Sequence, residues 1–229
     1  MKEESVSVKQ GKKALFYLIV QYQTDKIEAE RTIQMGNGNR GNTMIIKNGL
    51  VFTPEGKFEK KDFYIEGEYV AKETTDNKEV EAEGCYVIPG LVDIHFHGCV
   101  RHDMCDGTEE SIQALADYEA ANGVLAICPA TMTIPEEELF QAMNAAREHK
   151  NGKGADLVGI NMEGPFVNKE KKGAQKEEDI KLADVELFHK LQEAAGGLIK
   201  LVDLAPETEG AMDFINQVKD EVHVSIAHT

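Results

Sequence analysis

The stretch Pro89-Gly90-Leu91-Val92-Asp93-Ile94-His95-Phe96-His97-Gly98 decides how the rest of the chain is read. An apolar run ends in two histidines, two residues apart. On a strand, residues i and i+2 share a face, so both rings project the same way. Parallel α/β proteins build their sites where strands end. Two neutral imidazoles on one face can take one divalent ion. Asp93 shares their parity and could orient a ligand. A bare His-x-His also occurs in ordinary strands, so the metal reading needs partners elsewhere in the chain.

Two other strand ends offer them. The apolar run before Glu163 stops at Gly164-Pro165, which leaves a carboxylate at a strand terminus. By itself that residue would read as a cap or loop carboxylate. His228 closes the run Val222 to Ala227, and a lone terminal histidine would read as exposed polar surface. His223 opens that run and reads as structural. His102, His149 and His189 lie in loop or helix contexts and carry no assigned role.

From residue 87 the pattern alternates. Strand-like runs cover 87–94, 124–130, 157–162, 199–204 and 222–227. Amphipathic stretches lie between them: Ser111 to Ala121 with Thr108 as N-cap, a helix opened by Pro135, Asp184 to Ala195, and Gly210 to Val218. Such alternation predicts a parallel sheet with helical crossovers. Five strands and four helices fit either an open doubly wound sheet or a barrel. Residues 44–86 instead carry short β signals separated by turns, which predicts a small β unit. Residues 1–43 are polar and irregular and end in the Gly/Asn-rich run from Gly36 to Asn42. They are expected to be a flexible extension, with ordered structure starting near Met44.

Composition narrows the partners. The 229 residues carry a formal net charge of −16, which opposes binding to nucleic acid or anionic membranes. An anionic substrate would need a local basic site. The apolar run Ala14 to Val20 is too short to span a bilayer, and no cleavage site follows it. Cys85, Cys99, Cys105 and Cys128 form no C-x-x-C pair, so a reducing cytoplasm is expected.

In order and spacing from about residue 44, the chain resembles the N-acetylglucosamine-6-phosphate deacetylases of the amidohydrolase superfamily. The blocks that carry the likeness are Tyr86 to His97, Cys128 to Thr133, Glu163 to Phe166, Lys171 to Ala174 and Ser225 to Thr229. The resemblance implies a (β/α)8 TIM-like barrel, cut after about five strands, with a small β-sandwich part. It implies metal ligands at His95, His97, Glu163 and His228, and substrate contact at Ala174 and Gln175. It implies one or two divalent ions, zinc first, with iron or manganese open. The substrate would be a small amino-sugar phosphate, and the full-length protein would be a homo-oligomer. Family members often carry histidine where this chain has Gln175, which can donate a hydrogen bond but carries no proton. The family's aspartate general base is expected beyond Thr229, so no catalytic base is assigned within the chain. Were the chain to act alone, Asp93 or Asp203 would have to supply that base. A cyclic amidase would place a bridging lysine after the fourth strand, where this chain reads Asp203-Leu204-Ala205-Pro206. A cyclic amidase or deaminase, and a metal-binding fragment without turnover, are the competing readings.

Overall fold

The computed structural model describes residues 17–21, 44–66, 69–74 and 78–229, which divide after Gly90 into two compact units. The first unit is all β. Strands β1 (Tyr17–Gln21), β2 (Met44–Phe52), β3 (Phe58–Glu66), β4 (Tyr69–Ala71), β5 (Glu79–Glu81) and β6 (Cys85–Pro89) form one sheet in the order β1-β6-β2-β3-β4, with β5 also on β2. Alternate residues of β2 and β3 point inward. Met44, Ile46, Val51, Phe63 and Ile65 pack with Ala82, Cys85 and Val87. The short β signals expected over 44–86 thus form one sheet with a common apolar face.

Strand β1 lies inside the stretch expected to stand apart. It pairs antiparallel with β6, with Ile19 opposite Val87, so five residues of that stretch join the sheet. The Gly/Asn-rich run from Gly36 to Asn42 lies outside the described residues. The expected strand over 87–94 is two strands. Pro89-Gly90 breaks the run, and β6 belongs to the first unit while β7 (Leu91–Asp93) opens the second.

After β7 the second unit continues with a short pair, β8 (Gly98–Cys99) and β9 (His102–Asp103), then α1 (Glu109–Ala121). Next come β10 (Val124–Ile127), α2 (Glu136–Glu148), β11 (Asp156–Leu157), β12 (Ile160–Glu163), α3 (Val185–Ala194), β13 (Ile199–Leu204), α4 (Ala211–Val218) and β14 (His223–Ile226). The expected strand over 157–162 is likewise two short strands, interrupted at Val158 and Gly159. All pairings among β7 and β10 to β14 are parallel. β10 lies between β7 and β11, β13 lies between β12 and β14, and a bridge from Ala130 to Asn161 joins the two groups. Each strand thus neighbours its predecessor in the chain. Among the described strands the order does not reverse.

Local chemistry explains the helix ends. Thr108 caps α1, its hydroxyl accepting from Ser111 N at 3.2 Å. Asp184 caps α3 by accepting from Glu186 N and Leu187 N. α2 follows Pro135, whose ring fixes an entry geometry that helices accept. The inner faces of the helices close on the sheet, and the core centres on Phe166, Phe188 and Phe214, whose ring centroids lie 5.2 and 5.7 Å apart. The two outermost strands are less well covered: Ile94, just past β7, is 54% exposed and Ile226 on β14 is 69% exposed. Among the described residues no helix is long and apolar enough to cross a membrane.

Two outcomes follow from this packing. Phe188→Ala removes a fully buried ring and should cost about 3–5 kcal/mol of unfolding free energy, read by denaturant titration. His149 is buried with neither ring nitrogen partnered, and burial holds its pKa below the ordinary 6.5. It is therefore neutral in the fold and gains a proton on unfolding in acid. Stability should be retained above 6.5 and fall as the pH drops below it. A His149→Gln chain, having no imidazole there to protonate, should show a smaller fall over the same range.

Candidate metal centre

Four of the sequence-predicted residues meet at the C-terminal ends of the parallel strands. His95 and His97 lie just past β7 rather than on it. Their backbone still bonds to its neighbour as a strand would, with Cys128 N donating to Asp93 O at 2.8 Å and Ala130 N to Phe96 O at 2.7 Å. That extended path keeps both rings on one side, 5.3 Å apart between centroids and nearly perpendicular. Asp93 does not reach a ring. Its Oδ1 accepts from the backbone N of His95 at 3.0 Å, which fixes the turn out of β7.

Glu163 is the last residue of β12 and is buried. Gly164 follows at φ 79°, and a Cβ there would stand 2.2 Å from Thr133 Oγ1, so the exit from β12 demands glycine. The carboxylate has two differently used oxygens. Oε1 takes His228 Nε2 at 2.6 Å and the Gln175 amide at 2.8 Å. Oε2 faces His95 Nε2 at 3.1 Å and His97 Nε2 at 3.2 Å, yet it accepts no well-aligned hydrogen bond from either ring. One ligand atom each from His95, His97 and Glu163 falls within a 4.8 Å group. A buried oxygen with an unused lone pair between two imidazole nitrogens is an arrangement that a divalent cation satisfies.

The electrostatics agree. Burial alone would raise the Glu163 carboxyl, but His97, His228 and His95 more than offset it and bring it to about 2. His97 is pushed above its ordinary value, chiefly by its contact with Glu163. For His228 burial acts downward, and Lys171 O together with Glu163 overcomes it. His228 also adopts φ 51°, a conformation uncommon for a non-glycine residue. Its Nδ1 is held 2.9 Å from Lys171 O. A carbonyl and a carboxylate both accept, so His228 donates from Nδ1 to Lys171 O and from Nε2 to Glu163 Oε1, and Nε2 is the nitrogen that faces the site.

Gln175 is buried, with Nε2 on Glu163 and Oε1 accepting from Thr133 N at 2.5 Å. Its amide is committed to positioning the carboxylate. Ala174 is exposed. Two residues that sequence reasoning left out of the ligand set also line the centre. Asn161, two residues before Glu163 on the same strand, has Nδ2 2.9 Å from His95 Nδ1. Asp203 is 3% exposed, with Oδ2 3.6 Å from the same nitrogen. Burial pushes its carboxyl up. Strand parity could have found both, because Asn161 and Glu163 share a face of β12 and Asp203 pairs with Glu163 across the ladder.

No family model matches the chain. The N-acetylglucosamine-6-phosphate deacetylase of Bacillus subtilis is 36% identical over 192 residues, covering 81% of this chain and 47% of the relative. The chain is a relative of the N-acetylglucosamine-6-phosphate deacetylases. An N-acetylgalactosamine-6-phosphate deacetylase from Escherichia coli is 28% identical over 191 residues, covering 82% of the chain and 51% of its own length. Among solved structures, an N-acetyl-D-glucosamine-6-phosphate deacetylase from Mycobacterium smegmatis, in complex with N-acetyl-D-glucosamine-6-phosphate, superposes with a TM-score of 0.69 at 22% identity. It matches 82% of this chain and 50% of that one, and the likeness at this identity is one of fold. The chain thus spans about half the length of the deacetylases it matches, consistent with their N-terminal portion.

Glu163→Gln keeps the shape and hydrogen-bonding reach of the side chain but removes its charge. Zinc binding by the purified chain, followed by calorimetric titration, should weaken by at least about 10-fold, since a hard or borderline cation prefers the anionic oxygen. Unchanged affinity would place the ion elsewhere.

Proposed function

We propose that this chain is the metal-binding half of a hydrolase that removes the N-acetyl group from N-acetylglucosamine 6-phosphate, leaving glucosamine 6-phosphate and acetate. The observation that carries the reading is the convergence of His95, His97 and Glu163 at strand ends, in a chain whose deacetylase relative is 36% identical over 192 residues. The β7-to-β14 unit is read as five strands of a (β/α)8 barrel. Its exposed outer strands are the edges at which further strands would pair, since a barrel closes only when last meets first.

In this reading His95, His97 and Glu163 hold a divalent ion, zinc first, with His228 joining them through Nε2. Such an ion, when bound, polarises an amide carbonyl and acidifies water. The chain's own residues supply the frame. Gln175 and His228 fix Glu163 Oε1, which leaves Oε2 turned toward the two histidines. Lys171 O orients the His228 ring by accepting from Nδ1. Ala174 and Gln175 lie on the loop expected to meet the substrate, and the Gln175 side chain acts there through Glu163. No residue in this unit is assigned as base, and the family's aspartate would come from the remainder of the protein.

The test is acetate release from N-acetylglucosamine 6-phosphate. The zinc-loaded chain alone should run at least about 10²-fold slower than the Bacillus subtilis relative, the cost of lacking a general base. The same chain joined to the C-terminal half of that relative should release acetate, and Glu163→Gln in the joined protein should abolish it. A chain active by itself would show that a residue such as Asp203 supplies the base. A folded, zinc-loaded joined protein that is inactive on this sugar yet active on a cyclic amide would overturn the deacetylase reading.

A further inference from the structure

The parallel strands have a second end, and a cavity of about 220 Å3 lies there. It is lined by Arg147 and His149 at the close of α2, Asn151 and Leu157 around the start of β11, and Gly196 and Leu198 in the turn from α3 to β13. These segments lead into strands, whereas His95, His97, Glu163 and His228 stand where strands end. The cavity is therefore no part of the metal centre. A water's share of liquid is about 30 Å3, so the space exceeds what one bridging water fills.

The polar groups around it divide into spent and unspent ones. Asn151 is committed through both amide atoms to the backbone of Leu157, at 2.8 and 3.0 Å. The α3 turn closes on itself, with Gly196 N donating to Glu193 O, Gly197 N to Gln192 O and Leu198 N to Ala195 O. Lys200 Nζ covers Gly197 O at 2.7 Å, which lessens the negative character of that helix end. His149, by contrast, is 8% exposed, and neither ring nitrogen has a hydrogen-bond partner in the chain. An apolar side chain would fill the position without that desolvation cost. A half-turn of the ring exchanges its nitrogen and carbon positions, and no hydrogen bond opposes the turn. Arg147 makes no ion pair or hydrogen bond among the described residues. Its stem passes close to the turn: a Cβ on Gly196, which has φ 63°, would stand 2.9 Å from Arg147 Cγ.

We propose that this cavity binds a small hydroxyl-bearing phosphate, as inorganic hydrogen phosphate or as the phosphate end of a sugar phosphate, on Arg147 and His149. The guanidinium offers a planar fork that matches two phosphate oxygens. A neutral imidazole has one N–H and one acceptor nitrogen. A hydroxyl-bearing phosphate meets both, accepting from the N–H and donating to the other nitrogen. A carboxylate only accepts, and would leave one nitrogen unmet. A chain of net charge −16 needs a fixed cation to hold any anion, and Arg147 is one that no carboxylate has claimed. Of the other charges felt at His149, Glu109 and Lys150 act in opposite directions. The site goes beyond the proposed deacetylation and does not depend on it.

The test titrates the full 229-residue chain, labelled with 15N histidine, with sodium phosphate and separately with glucose 6-phosphate. With at least one of them the ring signals of His149 should move saturably. A response to phosphate alone, or equal affinity for both, marks a site for the phosphate group; tighter binding of glucose 6-phosphate shows that the sugar is held as well. Arg147→Gln should weaken binding at least about 10-fold, and Arg147→Lys, which keeps the charge and loses the fork, should recover part of the loss. Arg147 is exposed, so neither variant opens the core. His149 signals that saturate with neither ligand would overturn the proposal and leave the ring to water. So would affinity within twofold of wild type in Arg147→Gln, or shifts confined to His95, His97 and His228, which would put the phosphate at the metal centre. None of these outcomes touches the deacetylase reading, whose test is acetate release.

Discussion

A single buried carboxylate organises the second unit. Glu163 is far from water, and an isolated carboxylate in such a place would take up a proton or break the fold. Three histidines arriving from two other strand ends keep it ionised. Satisfying Glu163 requires β7, β12 and β14 to end at the same level, which a parallel sheet provides. Gly164 makes the tight exit possible, and the Lys171 to Gln175 loop folds back to occupy Oε1. The centre and the fold therefore constrain each other.

That arrangement carries a cost that function explains. Oε2 is buried between two imidazoles without a good hydrogen bond, and His228 sits at a strained φ. Strain and unsatisfied polar groups concentrate where a protein binds something. Elsewhere in this unit the core is largely apolar, with Phe214 packed ring against ring on both Phe166 and Phe188, and buried His149 left unpartnered. At the strand ends a buried, unsatisfied carboxylate oxygen and a left-handed histidine lie together, which is where a ligand in an α/β protein belongs.

Much of this was legible in the sequence. The period of two placed His95 and His97 on one side, and the Gly-Pro stop marked Glu163 as a strand end. Thr108 and Pro135 announced their helices. What sequence could not supply was breakage inside apolar runs: residues 87–94 and 157–162 read as single strands, and each is two. Pro89-Gly90 was a visible breaker, whereas the interruption at Val158 and Gly159 has only a lone glycine to signal it. The pairing of β1 with β6 joins residues far apart in the chain, and the polar surroundings of β1 hid it. Asn161 was legible from its parity with Glu163 on one strand, whereas Asp203 went unassigned as a partner of His95 because a ladder's register is a property of two strands together.

X-ray absorption at the zinc edge of the metal-loaded chain tests the central claim most directly. The account predicts a shell of nitrogen and oxygen at about 2.0–2.2 Å, with the outer-shell pattern of at least two imidazoles and no sulfur. A sulfur shell at about 2.3 Å would put the ion on a cysteine, and an oxygen-only shell would put it on surface carboxylates. Either result would contradict a metal centre built from His95, His97 and Glu163.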